Sequence, residues 1–219
     1  QVLRRLKFDE LIAQQLLMQK IYATKHHHPA PAIKTTNQYL IPLLAKLPFE
    51  LTKAQNKVLR EILQDMSQAQ QMNRLLQGDV GSGKTIVATI SALTAIENQF
   101  QAVIMAPTEI LAEQHYSKIN KLLEPFSIKV VWLAGSLTPK QKKLAAQACA
   151  DGSAQLIIGT HAVFQKNVEF ANLGLVVIDE QHRFGVEQRL ALVNKGNKDQ
   201  FPHQLMMSAT PIPRSLAMS

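Results

Sequence analysis

The sequence predicts an α/β domain: a mostly parallel sheet with helices on both faces, preceded by a helical linker. Three observations predict it. From residue 73 onward, short apolar runs recur, each bounded by turn residues. Stretches with the amphipathic period of a helix separate them. A Gly-x-x-x-x-Gly-Lys-Thr motif at 78–85 follows one such run and opens one such helix. Strands joined through helices return in the same direction, so the sheet is expected to be parallel and covered on both sides.

Composition bounds the answer. A hydrophobic content of 46% in 219 residues is ample for a core, and no apolar run approaches the length of a membrane span. Arg4, Arg5 and Lys7 lead into Asp9 and Glu10 rather than an apolar segment, which is not a signal-peptide pattern. The lone cysteine, Cys149, can form no internal disulfide, and a cytoplasmic setting is expected. The chain begins at Gln1 without Met, so a piece of a longer protein is expected. The net charge of +8 points weakly to a polyanionic partner. Residues 1–50 hold seven Lys/Arg against three Asp/Glu, and so carry +4 of it.

Taken in order, residues 2–23 place Leu3, Leu6, Leu11, Ile12, Leu16, Leu17 and Ile21 at helical spacing. Lys25–Pro31, with His26, His27 and His28, then reads as a helix stop and extended loop. Consecutive histidines splay apart and no other metal-ligand spacing accompanies them, so a solvated loop is the reading. Residues 37–47 predict a short helix interrupted at Pro42. Thr52 is placed to cap a helix over 54–67, with Val58, Leu59, Ile62, Leu63 and Met66 on one face. Strands are predicted at 73–77, 102–106, 128–133, 155–159, 174–178 and 203–208. Helices are predicted at 84–97, 109–123, 138–150, 183–194 and 212–218. Trp132 and Cys149 read as packing residues, and Lys140, Lys142 and Lys143 as a solvated helix face.

The chemistry concentrates at strand ends. In the loop Gly78, Gly81, Ser82, Gly83, Lys84 and Thr85, glycines let backbone N–H groups converge on a phosphate, and the following helix start adds its field. Lys84 is placed to reach the β- and γ-phosphates of a bound ATP, and Thr85 to hold Mg²⁺. Val176–Ile178 ends in Asp179 and Glu180, at the sheet edge where ligands sit. Asp179 can share that Mg²⁺, and Glu180 can orient and deprotonate the water that attacks the γ-phosphate. Ser208 and Thr210 follow another apolar strand. Their hydroxyls can bond Asp179 or His182 and report on the γ-phosphate, or simply form a turn and cap before Pro211.

These segments occur together with Ala106-Pro107-Thr108-Glu109, Gly159-Thr160-His161 and Asp179-Glu180-Gln181-His182 in the order found in superfamily-2 helicase motors. More narrowly, Met72–Thr85, Asp179–Val186 and Ser208–Arg214 resemble the RecG family of bacterial branched-DNA helicases. The resemblance is strong over about 51–219. Transcription-repair coupling factors share Arg-Phe-Gly-Val and Ala-Thr-Pro-Ile-Pro-Arg, but usually carry Asp-Glu-Glu-Gln where this chain has His182 at the fourth position. The resemblance implies a RecA-like P-loop NTPase domain at 50–219, the first motor lobe, with 1–49 as a helical linker from an N-terminal wedge domain. It further implies that Gln55 reads adenine, which an amide can do by donating and accepting at once. Thr108, Thr160 and His161 are implied contacts to DNA backbone, with a core or capping role as the alternative for each. His182 is implied to couple the ATP site to Ser208 and Thr210. Arg183, Arg189 and Arg214 are phosphate contacts or interdomain partners. The implied partners are DNA, branched in form, a second RecA-like lobe and the wedge domain, with no membrane. Lacking the second lobe, these 219 residues alone are expected to hydrolyse ATP hardly at all. An RNA motor and a non-catalytic nucleotide-gated module are the alternatives; Lys84 and Glu180, both intact, favour an enzyme.

Overall fold

The computed structural model describes residues 28–165, 167–180 and 200–209. The helices expected at 2–23, 183–194 and 212–218 lie outside them.

Six parallel strands form one sheet: β1 (Asn73–Gln77), β2 (Gln101–Met105), β3 (Val130–Leu133), β4 (Leu156–Gly159), β5 (Leu173–Ile178) and β6 (His203–Ser208). Their spatial order is β1-β6-β5-β2-β4-β3. Each of the predicted strands is present, within two residues at either end. The side-chain period of two divides the sheet between two cores. Ala102, Ile104, Leu156, Ile158, Leu175, Val177, Leu205 and Met207 point into one. Val103, Met105, Ile157, Leu173, Val176 and Ile178 point into the other. Because both faces are covered there, the central strands β2, β4 and β5 are buried along their whole length and read as near-continuous apolar runs.

The helices are α1 (Leu40–Lys46), α2 (Lys53–Met66), α3 (Lys84–Glu97), α4 (Glu109–Leu123) and α5 (Pro139–Ala150). Every residue of α3 from Ile86 to Glu97 is buried, so this helix runs through the first core with no polar face. Thr52 caps α2 and Thr138 caps α5, each in a reciprocal capping box with the glutamine three residues on, Gln55 and Gln141. Arg74 on β1 pairs with Glu61 and Asp65 on α2, at 2.9 and 2.5 Å.

Pro42 does not interrupt a helix. It is the third residue of α1, in the first turn, where no intrahelical acceptor awaits its missing N–H. Residues 28–47 pack as part of the lobe. Ile33 and Leu43 are fully buried in the first core. The Ile33 N–H donates to Met66 O, and the Ala30 N–H to Ala69 O. The Glu97 carboxylate accepts from the Thr36 N–H and hydroxyl and from the Tyr39 N–H. The buried His203 ring accepts from the Met72 N–H at Nδ1 and donates from Nε2 to Pro31 O at 2.8 Å, fastening the segment to β1 and β6. His28 is exposed, its ring against Phe201. Cys149 is buried, Trp132 is half-buried against Tyr116, Lys140 and Lys143 are exposed, and Lys142 is half-buried with its ammonium donating to Gly135 O at 2.6 Å. Among the described residues no helix is long and apolar enough to cross a membrane.

Candidate nucleotide-binding site

The loop between β1 and α3 is shaped by its glycines. Gly81 and Gly83 have φ of +84° and +82°, in the left-handed region that a side chain disfavours. A Cβ on Gly83 would also overlap Gln55 Nε2. Gly83 caps α3, so the helix opens within the loop and presents its first N–H groups there. Lys84 Nζ donates to the carbonyls of Gly78 at 2.6 Å and Asp79 at 3.0 Å, which holds the ammonium across the loop mouth. Gln55 ties α2 to the same loop: its Nε2 donates to Ser82 O at 2.8 Å while its Oε1 accepts from the Thr52 N–H at 2.9 Å.

Opposite this loop, β5 delivers Asp179. Its N–H continues the ladder to Met105 O, and its side chain is buried. Oδ1 accepts from the Glu180 N–H at 3.0 Å, and Oδ2 bonds His115 Nε2 at 2.8 Å. An ionised carboxylate only accepts, so Nε2 of His115 carries the proton in this bond. Glu180 has φ of +49°, a strained conformation for a residue with a side chain and of the kind that clusters at functional sites. A cleft of about 590 Å³ is lined by Gly81, Gly83, Lys84, Thr85, Asp179 and Glu180 together with Phe49, Leu111, Lys118 and Ala209. That size suits a small-molecule ligand. At Phe49 it adjoins a second hollow of about 490 Å³ running past Pro48, Glu50 and Asn56.

The remaining predicted positions divide. Ser208 is buried at the end of β6, and its carbonyl accepts from the Gly78 N–H at 3.2 Å, tying that strand end to the phosphate loop. Thr210 and His182 lie outside the described residues, as do Arg183, Arg189 and Arg214. Thr108 is exposed and caps α4 by accepting from the Leu111 N–H. His161 is exposed at the start of a short 3₁₀ turn. Thr160 is 1% exposed, and its hydroxyl finds no partner among the described residues, so it faces inward rather than toward a ligand on the surface. Beside Thr108, Glu109 accepts from the Ser136 N–H at 2.9 Å; hydrogen bonds from Ser136 hold its carboxyl below the usual carboxylate range.

Two residues escaped the sequence reading: Phe49, which lines the cleft, and His115, which bonds a residue that does. Phe49 carries no motif beyond its place six residues before Gln55. His115 had one readable signal: it is a polar residue in the apolar stripe Ala112, His115, Ile119 and Leu123 of α4.

A phosphate loop facing a strand-end Asp-Glu pair across one cleft, on a six-stranded parallel sheet, defines a nucleotide-binding lobe of the helicase type. The chain belongs to the DEAD/DEAH box helicase family, whose family model matches residues 52–219. Within that family it is 49% identical to the ATP-dependent DNA helicase RecG of Aquifex aeolicus over 216 residues, which are 99% of this chain and 27% of that protein. It is 50% identical to the RecG of Haemophilus influenzae and to that of Escherichia coli K12, over 99% of this chain and 31% of each. The chain thus spans about three-tenths of the length of these relatives. A solved structure of RecG bound to a three-way DNA junction superposes with a TM-score of 0.82 at 43% identity, covering 96% of this chain and 28% of that one. A hypothetical ATP-dependent RNA helicase from Sulfolobus tokodaii, 20% identical with a TM-score of 0.63 over 83% of this chain and 53% of that one, shares the fold.

Proposed function

We propose that this chain is the ATP-binding lobe of an ATP-dependent DNA helicase or translocase that remodels branched DNA. The observation that carries the reading is the meeting of Lys84 and Thr85 with Asp179 and Glu180 in one cleft. Around a bound ATP each side chain has a distinct task. The Gln55 amide reads the adenine edge, and Phe49, half exposed at that end of the cleft, offers it an apolar wall. Backbone N–H groups at the start of α3 take the phosphates. The Lys84 ammonium leaves the carbonyls of Gly78 and Asp79 for the β- and γ-phosphates. Glu180 accepts the proton of the attacking water.

The donor set fits Mg²⁺ brought in with the nucleotide. Mg²⁺ takes one or two protein oxygens and fills its shell with phosphate oxygens and water. Thr85 and Asp179 supply that number, and among the described residues no cluster of three or more His, Cys, Asp or Glu suggests a resident metal. Each Asp179 oxygen accepts one protein hydrogen bond, which leaves a lone pair on each for the ion. Held by Thr85 and Asp179, Mg²⁺ would supply positive charge to offset that of the phosphates.

Thr108 and His161, exposed at the ends of β2 and β4, are proposed contacts to DNA backbone. The buried Thr160 hydroxyl would need a shift of its strand end to join them. A second RecA-like lobe and a wedge domain of the same full-length protein are the proposed partners, and the relatives' greater length leaves room for both. A cytoplasmic setting accords with a single, buried cysteine in the sequence, which has no second cysteine here to form a disulfide with.

The test is ATP turnover by the full-length parent protein with a four-way junction, plain duplex, single-stranded DNA and RNA as separate activators, and Glu180→Gln as control. Strong stimulation by the junction, lost in E180Q, is the expected result. Equal stimulation by RNA, or turnover that survives E180Q, would overturn it.

A further inference from the structure

The bond between His115 and Asp179 joins two parts of the molecule that the nucleotide chemistry alone does not require to touch. Both side chains are buried, each with about a tenth of its surface exposed. They are 64 residues apart, one on the inward stripe of α4 and the other at the end of β5. A carboxylate placed to hold a metal ion must keep its plane fixed, because the ion accepts only a narrow range of oxygen directions. Asp179 Oδ1 is steadied by the Glu180 N–H, a neighbour on its own strand end. Among the described residues, Oδ2 is steadied from outside the strand, by the imidazole.

We propose that His115 is the positioning residue for Asp179, and that it makes α4 and the metal-holding carboxylate move as one body. This rests on the nucleotide-site reading above and adds a role that the Gly-Lys-Thr and Asp-Glu segments do not contain. The placement of α4 gives the bond its consequence. Leu111 and Lys118 of this helix line the nucleotide cleft. Its first turn carries exposed Thr108 as cap and Glu109, whose carboxylate grips the Ser136 N–H of the loop after β3. His115 lies seven residues beyond Thr108, roughly 10 Å along a stiff helix at 1.5 Å per residue. A strand engaged at the Thr108 end and an ion held by Asp179 therefore pull on the same rod, at its end and its middle. The buried stripe of Ala112, Ile119 and Leu123 keeps that rod from rolling independently of the sheet.

The experiment uses the full-length parent protein with His115→Leu, which fills the site without a donor, and His115→Gln, whose amide nitrogen stands the same number of bonds from Cα as Nε2. The affinity of a fluorescent N-methylanthraniloyl-ADP is measured as Mg²⁺ is titrated, and the hyperfine signal of Mn²⁺ bound with ADP is recorded for each protein. Removing a partner that orients a metal ligand typically costs about 10- to 100-fold in metal affinity. H115L is expected to need at least about tenfold more Mg²⁺ for half-saturation, with the metal-free ADP affinity unchanged and the Mn²⁺ signal altered. H115Q is expected to recover most of the loss. At Mg²⁺ concentrations that saturate both proteins, stimulation of turnover by a DNA junction is expected to fall several-fold in H115L. An unchanged Mg²⁺ requirement in H115L overturns the proposal, and so does an H115Q as impaired as H115L, which would reduce His115 to packing. Undiminished DNA stimulation in H115L overturns the joint movement of helix and carboxylate. Wild-type protein whose ADP affinity ignores Mg²⁺ would overturn the nucleotide-site reading itself, and this proposal with it.

Discussion

Gln55 holds two structural bonds and is asked for two more, which makes its replacement an informative perturbation. A primary amide has two N–H donors and two acceptor lone pairs. One donor is spent on Ser82 O and one lone pair on the Thr52 N–H. What remains is one donor and one acceptor, the complement of adenine's N7 acceptor and N6–H donor and a mismatch for guanine, which offers acceptors at both positions. If each bond to the base contributes about 0.5–1.5 kcal/mol, two contribute about 1–3 kcal/mol. Gln55→Ala in the full-length protein should then lose roughly 5- to 150-fold of its preference for ATP over GTP, at a factor of ten per 1.4 kcal/mol. The same change removes half of the capping box and the tether to Ser82, both solvent-facing, for about 1 kcal/mol. In a domain of this size that is a melting midpoint lower by about 2–4 °C. Competition of unlabelled ATP and GTP against a fluorescent nucleotide reads the first effect, and thermal unfolding followed by circular dichroism reads the second. Gln55→Glu keeps the acceptors for Thr52 and the adenine N6–H but has no donor for Ser82 O or N7. It should retain the cap and lose about half of the base preference. An undiminished ATP:GTP ratio in Q55A would refute the account of how the base is read, even if the midpoint fell as expected.

Two further outcomes concern how residues 28–47 are fastened. Burial lowers the pKa of His203 below its ordinary 6.5, so the unfolded chain binds a proton that the folded one refuses. The contribution of neutral His203 is therefore complete above pH 6.5 and is lost as the pH falls below it, at no more than about 1.4 kcal/mol per pH unit. Urea midpoints from pH 7.5 to 5.5 should decline in the wild type and flatten in His203→Gln, whereas parallel declines would rule His203 out as the source. Glu97→Ala leaves the N–H groups of Thr36 and Tyr39 without their acceptor in a half-buried setting, at about 1–3 kcal/mol each. The urea midpoint should fall by the equivalent of about 2–6 kcal/mol with the slope unchanged. A loss under about 0.5 kcal/mol would mean that the carboxylate does not anchor the segment.

The elements were legible where local pattern and tertiary demand agree. The strand from Asn73 to Gln77, the loop to Thr85 and the helix to Glu97 could be read because glycine, lysine and apolar residues at those spacings leave the backbone few alternatives. Pro42 was misread because proline is disruptive only beyond the first helical turn, and the true start at Leu40 lacks a capping side chain to mark it. The docking of residues 28–47 was illegible for another reason. Ile33 and Leu43 look like scattered apolar residues, and their burial depends on Met66, Glu97 and His203, far along the chain. His115 was missed on the same ground: a buried histidine declares a need for a partner, but only the packing of α4 on the sheet says which carboxylate answers it. Thr160 had two readings open in the sequence, a DNA contact and a core role; it is buried, which its spacing alone did not decide.

The strand order explains why one bond at this place has so much to connect. The ends of β1, β6 and β5 carry the phosphate loop, Ser208 and Asp179–Glu180, and they are neighbours in the sheet. The ends of β2, β4 and β3 carry Thr108, Thr160 with His161, and Ser136, and they too are neighbours. Nucleotide chemistry and the proposed strand contacts therefore occupy two halves of one edge, divided between β5 and β2. Within the first half, the Gly78 N–H to Ser208 O bond closes the gap between loop and β6. Across the divide, the backbone supplies the Asp179 N–H to Met105 O bond, part of a ladder that resists shear but fixes no side chain. Among the described residues, orientation of the carboxylate across that divide falls to one side-chain bond, from His115. If His115 couples them as proposed, such a lobe keeps its sheet rigid while its two halves communicate, because what moves is a helix lying over the sheet and the carboxylate it holds, not the strands beneath them.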